Sequence, residues 1–407
     1  MEGLGSMKTL FNNYLSTFGG LSKEVWWLAL ITLINRAGTM VIPFLSLYLK
    51  EDLHFSISEI GWIMSAFGLG SVAGSWLGGK LTDKIGYYKV MLGSLFISGL
   101  LFIALQLANS FEMVCFGVFV VMLTADAFRP AIFVALNAYS KPENRTRSLT
   151  LIRLAINLGF SAGPAVGGLI ITGLSYAGLF WVDGVTCILA AFLMIRVLNP
   201  KKAKVMDVVL NESPVSAYKD KAFMVFLVAM TLFGIVFLQY FSTIPIYYKD
   251  VHYLSELEIG IILGLNGFLI FIFEMPLIKW LENTKYSKLG LMFFGTLLTG
   301  ISLFVLNLTA WSGVLIIGML LMTFGEMIAF PFSNAFAADR AIKGNQGEYM
   351  ALYSIAFSIG HIFGHNAGLQ MAYALGFDAT WYIISGVALI CALILFSLNK
   401  NLIKSTF

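Results

Sequence analysis

Twelve apolar runs, each cut off by a short polar turn, decide most of what this chain can become. They lie near 25–48, 59–79, 88–107, 112–137, 149–173, 177–198, 221–248, 257–280, 287–306, 311–337, 348–372 and 378–398. A run of about 20 apolar residues matches the roughly 30 Å hydrocarbon core of a bilayer. Over 407 residues, 58% are hydrophobic and only 12% charged, where a water-soluble domain carries about 25% charged residues. Surface of that kind belongs in lipid. There, every backbone polar group needs an internal partner, so only helices and closed barrels can cross. Barrel strands are about ten residues long and alternate in polarity. These runs are twice that and apolar all round. The expected fold is all-α and integral to the membrane, with twelve transmembrane helices.

Charge sets the orientation. With the N-terminus on the cytoplasmic side, 21 of the 26 Lys and Arg fall in cytoplasmic turns and tails. Only Lys50 and Lys249 fall on the far side, and Arg36, Arg129 and Arg153 lie within runs. The excess of Lys and Arg on one side predicts that both termini are cytoplasmic. The longest polar stretch, 199–220, reads as a cytoplasmic central loop between two six-helix bundles at 25–198 and 221–398, with a cytoplasmic tail at 399–407. Residues 1–24 read as a leader and an amphipathic segment, since the first six (MEGLGS) precede a second methionine, Met7. Cys115, Cys187 and Cys391 sit inside apolar runs and read as small core hydrophobes, not a disulfide set.

The two halves repeat. At an offset of 199, Glu59-Ile60-Gly61 matches Glu258-Ile259-Gly260. Asp52-Leu53-His54-Phe55 resembles Asp250-Val251-His252-Tyr253 just before it. At 201, Leu151, Ala155, Gly159, Gly163 and Gly167 correspond to Leu352, Ala356, Gly360, Gly364 and Gly368. Two bundles of equal topology imply a twofold axis along the membrane normal and a cleft between them.

Gly79-Lys80-Leu81-Thr82-Asp83-Lys84-Ile85-Gly86-Tyr87-Tyr88-Lys89 resembles the cytoplasmic signature between the second and third helices of the major facilitator superfamily, with Gly79, Leu81, Asp83, Lys84, Gly86 and Lys89 at its fixed positions. Gly159 to Gly168 resembles the G-x-x-x-G-P-x-x-G-G pattern of the proton-linked drug antiporters of that superfamily. Arg129 is followed by Pro130-Ala131, where that branch has a Gln-Gly pair. The resemblance implies two pseudo-symmetric six-helix bundles whose first, fourth, seventh and tenth helices line a cavity. It also implies that Asp83, with Gly79, Lys84, Gly86 and Lys89, gates the inner side. Gly163 and Pro164 join the gating set because Pro164 removes a backbone bond and bends its helix. The triplets Gly70/Gly74/Gly78, Gly159/Gly163/Gly167 and Gly360/Gly364/Gly368 recur every four residues. Such faces let backbones approach closely, as packing alone or as surfaces on which the halves rock.

Charges at membrane depth default to function. Arg36, Asp126, Arg129 and Glu326 all fall on cavity-lining helices of the superfamily. They read either as a structural ion-pair set or as a coupling site. In the second reading Asp126, Glu326 and His361 handle protons, and Arg36 and Arg129 hold the acids ionised or meet an anionic group. Asn35, Asn157, Gln239, Tyr240, Asn266 and His365 are candidates for the substrate cavity. His361 and His365 share a helix face, but no third ligand accompanies them, so no metal site is expected. Arg153 is expected to reach the interface, Glu274 to pair with Lys279, and Asp183 to lie interfacially.

No phosphate loop, dinucleotide fingerprint or nucleophile elbow is present. These features predict a non-enzymatic secondary transporter, monomeric and multi-pass in a bacterial inner membrane. It would work by alternating access on a proton gradient, with no cofactor and no nucleic-acid partner. Export of amphipathic or drug-like small molecules is the first reading. Import of a polar or zwitterionic solute, such as a peptide or sugar derivative, is the second. A receptor that transports nothing is the third.

Overall fold

Ser56 and Ser255 start helices in the same way. Each serine oxygen accepts from the backbone N–H three residues on, and Glu59 and Glu258 reach back to the serine N–H at 2.8 Å. These capping boxes satisfy donors that a helix start leaves open, worth about 1 kcal/mol each. The turns before them match too. His54 (φ 57°) and Tyr253 (φ 55°) both hold left-handed backbone, and Phe55 N–H to Leu49 carbonyl (3.0 Å) recurs as Leu254 N–H to Tyr248 carbonyl (3.2 Å). The offset is 199 throughout, so His54 aligns with Tyr253 and not with His252.

The computed structural model describes residues 20–37, 40–141, 145–200, 216–309, 311–341 and 346–404. Among them all regular structure is helical: α1 (Lys23–Ala37), α2 (Val41–Glu51), α3 (Ile57–Ile85), α4 (Tyr87–Leu105), α5 (Phe111–Ala125), α6 (Phe128–Tyr139), α7 (Arg145–Gly173), α8 (Tyr176–Val197), α9 (Lys221–Phe237), α10 (Gln239–Asp250), α11 (Glu256–Glu282), α12 (Lys288–Phe304), α13 (Gly313–Ala341) and α14 (Gln346–Lys404). The leader, most of the amphipathic segment, most of the central loop and the Asp83 side chain lie outside the described residues. Among the described residues eleven stretches are long and apolar enough to cross a membrane, so the chain is an integral membrane protein. The last, Leu352–Leu402, spans 51 residues and carries a non-helical Gly376 (φ 80°, ψ 170°). On one side of Gly376 the chain runs antiparallel to α3, with Gln370 on Ser58 and Asn366 on Ser65. On the other it runs antiparallel to α12, with the Asp378 carbonyl on Asn307 and Asn399 on Ser287.

Three segments are broken midway, between α1 and α2, α5 and α6, and α9 and α10. A break in apolar surroundings frees backbone groups that need new partners. Asp183 on α8 accepts from Met40 N–H (3.0 Å) and Val41 N–H (2.8 Å), which open α2. Ser94 on α4 donates to the Thr124 carbonyl (2.6 Å), which closes α5. The Gln239 amide donates to the Ile235 carbonyl (2.8 Å) near the end of α9. Asp183 is therefore fully buried, not interfacial as expected. A half-helix N-terminus inside the bundle attracts a carboxylate.

Three apolar cores show how the halves meet. One draws on both, from Phe44 and Phe180 to Tyr248 and Trp381. It lies at the end with the 51–57 and 250–256 turns. At the opposite end, one core belongs only to the first half (Val25 to Leu198) and another only to the second (Ala217 to Leu398). The apolar cores of the halves are fused at one end and separate at the other. Lys50 bonds Asp250 across the fused end, and Tyr176 donates to Glu256 at 3.2 Å.

The glycine triplets serve packing within each half. A Cβ on Gly70, Gly74 or Gly78 would strike Phe119, Leu123 or Ala127 of the same half, at 2.4–2.5 Å. Gly159 packs on Arg36, and Gly360 on Gly234. Close approach between halves uses other glycines. Gly68 meets His361, while Gly260 and Gly264 of α11 meet Pro164 and Ser161 of α7. Rocking surfaces on the triplets are thus not what the fold builds.

Candidate functional site

Between the halves lies a cavity of about 410 Å³. The broken helices supply its polar floor, because a helix break places side chains and backbone ends where a continuous helix would present only ridges. Arg36 stands at the end of α1, Asp126 between α5 and α6, and Arg129 one turn on. Glu326 comes from α13. All four line this one cavity, as do Asn35, Asn157, Tyr240, Asn266, His361, His365 and Pro164.

The charges divide into two groups. On the first-half wall, buried Asp126 accepts a hydrogen bond from Ser71 and lies 3.7 Å from Arg129, whose side chain is half exposed. Arg36 sits over the Phe160 ring, 5.7 Å from its centroid. On the second-half wall, Asn266 donates to Glu326 at 2.9 Å and to Thr323 at 3.0 Å. Among the described residues no ion pair reaches Glu326. An arginine holding both acids is therefore realised only for Asp126. Phe237, Phe241, Met319, Met322 and Phe330 fill the wall between the polar groups, which gives the cavity a large apolar area with few polar points.

Other expected residues sit elsewhere. Gln239 does not line the cavity. Its amide also donates to the Gly364 carbonyl at 2.8 Å and accepts from Thr243 at 2.7 Å, so it staples α14 to the α9–α10 break. Tyr240 reaches the cavity with its ring, but its hydroxyl donates to Ser302 at 2.8 Å. Glu274 pairs with Arg153 across the halves at 2.9 Å and accepts from Asn157 at 3.2 Å, not with Lys279. Arg153, whose side chain is half exposed, is thus paired with a partly buried acid of the other half. Gly163 packs near the Ala37 carbonyl, 3.5 Å from a would-be Cβ. In the polar turn, Gly86 adopts φ 86°, which explains a glycine there. A Cβ on Gly79 would meet open space. Lys84 and Lys89 are exposed.

Ser71, Thr323 and Phe67 belong to the site and were not anticipated. A serine or threonine inside an apolar helix can satisfy itself on the preceding turn, as Thr323 also does at 2.7 Å from the Met319 carbonyl. Its presence alone therefore carries little signal.

The family model described as Major Facilitator Superfamily matches residues 28–365, and again 291–404. A Na(+), Li(+), K(+)/H(+) antiporter of Planococcus maritimus is 23% identical, over 88% of this chain and 91% of that protein. Multidrug resistance protein MdtH of Yersinia enterocolitica is 20% identical, over 90% of this chain and 92% of that protein. A crystal structure of a POT family transporter in complex with 5-aminolevulinic acid superposes with a TM-score of 0.79 at 14% identity, covering 94% of this chain and 97% of that one.

Proposed function

Since the chain belongs to the major facilitator superfamily, and is therefore a transporter and not an enzyme, we propose that it exports amphipathic organic compounds in exchange for protons. One observation carries this reading: Arg36, Asp126, Arg129 and Glu326, far apart in sequence, converge on a cavity whose remaining wall is aromatic and thioether. Asp126 and Glu326 are the proposed proton carriers. Substrate and proton share the cavity, and alternating access moves both. No cofactor beyond the proton gradient enters.

The proposed topology has twelve spans in two six-helix bundles, 25–198 and 221–398, with Gly376 as the turn between the last two. Both termini lie on the Lys- and Arg-rich cytoplasmic side of a bacterial inner membrane. The separated cores then face the cytoplasm, and the fused end with Lys50 and Asp250 faces outward. Asp83, Lys84, Gly86 and Lys89 would guard the cytoplasmic mouth. The protein works as a monomer.

A second reading is exchange of a monovalent cation for protons, supported by the Planococcus relative and by two cavity carboxylates. Everted membrane vesicles separate the readings. Acidified inside, they should take up a fluorescent aromatic amine through this protein. Proton efflux driven by added Na⁺ or K⁺ with no amine uptake would reverse the order. Uptake by right-side-out vesicles alone would favour import of a polar solute.

A further inference from the structure

The turn of α14 that carries His361 and His365 is held from two sides. Its glycine ridge lies on α9 and α10, where Gln239 bonds the Gly364 carbonyl at 2.8 Å. On the α3 side, Ser65 donates to the Ile362 carbonyl (3.2 Å) and receives from Asn366 (2.9 Å). Gly68 lets the backbones touch, since a Cβ there would lie 2.7 Å from the His361 carbonyl oxygen. The remaining face turns to the cavity, and both histidine rings line it.

His365 is 2% exposed. Its ring meets Phe67 edge-on, with centroids 5.7 Å apart. The His361 ring centroid is also 5.7 Å away. Among the described residues, neither ring nitrogen of His365 has a hydrogen-bond partner, and nor does Nδ1 of His361. A neutral imidazole has one N–H and one bare nitrogen. His365 thus carries an unmatched donor and an unmatched acceptor, both covered, in a residue that lines the cavity. Buried polar groups are nearly always paired. The nearby amide of Gln239 is already engaged, and that of Asn366 is spent on Ser65. The open space next to both histidines is the cavity they line. Clamping between α3 and α9–α10 fixes the rings before anything binds, which is how a polar contact gains selectivity.

We propose that His361 and His365 form a polar subsite for the transported compound, one that takes a neutral group able to donate and accept at once, such as an amide, a sulfonamide or a phenol. The subsite rests on the transport reading for its biological ligand and not for its test. It gives the cavity a selective point apart from the charged groups. The aromatic body of the ligand would lie against Phe67 and Phe241, which share the cavity.

The test is equilibrium binding of two environment-sensitive fluorophores to the purified full chain in detergent. Dansylamide has a primary sulfonamide that donates and accepts, and its N,N-dimethyl analogue cannot donate. Wild type should bind dansylamide about tenfold tighter, the size of one good hydrogen bond. His365→Phe should erase that preference by weakening dansylamide alone, without lowering the unfolding midpoint, because it removes orphaned nitrogens and keeps a ring against Phe67. His365→Gln, which keeps a donor and an acceptor, should retain part of the preference. The proposal is overturned if wild type binds both fluorophores alike or binds neither. Equal weakening of both by His365→Phe, or a lowered unfolding midpoint, overturns it too, since either marks a packing role. A His365-dependent preference without proton-driven flux would count against the transport reading and leave the subsite standing.

Discussion

Replacing Asp183 by Ala should destabilise the first half of the molecule more than any other single change at a helix break. The carboxylate accepts from Met40 N–H at 3.0 Å and Val41 N–H at 2.8 Å, and it is fully buried. Alanine leaves two backbone donors without partners at the start of α2. An unpaired buried donor costs about 1–3 kcal/mol, so the gross loss is roughly 2–6 kcal/mol. Burying the carboxylate itself carries a desolvation cost that alanine relieves, which moves the net figure to the lower half of that range. Asp183→Asn keeps one acceptor and turns an NH₂ toward the second donor, so it should lose about half as much. The assay is denaturant-induced unfolding of the purified protein in mixed micelles, with midpoints falling in the order wild type, Asn, Ala. If Ala lies within about 0.5 kcal/mol of wild type, the carboxylate does not hold the break. If Asn equals Ala, the two bonds are not separable contributions.

Two further outcomes follow from the same geometry. A Cβ on Gly368 would come within 1.7 Å of Gln239 Oε1. Gly368→Ala should therefore displace the staple at the α9–α10 break and lower the unfolding midpoint, whereas Gly93→Ala, with open space around it, should leave the stability unchanged or raise it by up to about 1 kcal/mol. Asp220, just before α9, offers a pH test. Burial pushes its carboxyl up, but Arg340, the Phe223 N–H and the Tyr349 hydroxyl bond it and together hold it below the usual carboxylate range. A folded value below the unfolded one means the stabilisation is complete above the unfolded pKa of about 3.9 and fades as pH falls through the folded value. The stability difference between wild type and Asp220→Asn should be constant from about pH 6 to 5 and shrink below about pH 4.

The helical, membrane-spanning character was legible because lipid imposes one rule on every residue of a span, and a long apolar run satisfies it visibly. The repeat was legible at Glu59 and Glu258 because capping boxes need those residues at that spacing, and the structure repeats even the left-handed turn before them. Convergence of Arg36, Asp126, Arg129 and Glu326 was anticipated from their depth together with the cavity-lining helices that the superfamily resemblance implied. The breaks were not. Asp126, Arg129 and Pro130 do interrupt the apolar run at the α5–α6 break, but they read as site residues and not as a break, and at Phe237–Gln239 only Gln239 stands out. The groups that satisfy the freed carbonyls, Ser94 and Gln239, look like ordinary polar residues. Asp183 misled because sequence position gives depth but not facing, and its partners, Met40 and Val41, lie 143 and 142 residues away. Glu274 misled for the same reason: Lys279 is near in sequence, but Arg153 is near in space. The glycine triplets pointed to close packing without saying which helix was packed.

Proton movement in proteoliposomes that enclose a pH-sensitive dye, with a transported aromatic amine added outside, tests the role of the cavity carboxylates most directly. Wild type should show proton flux opposite to the amine and dependent on it. Glu326→Gln should abolish that coupled proton flux while amine binding to the detergent-purified protein persists, and Asp126→Asn should weaken it. Coupled flux that survives both substitutions together would contradict the assignment of these cavity carboxylates as the proton carriers.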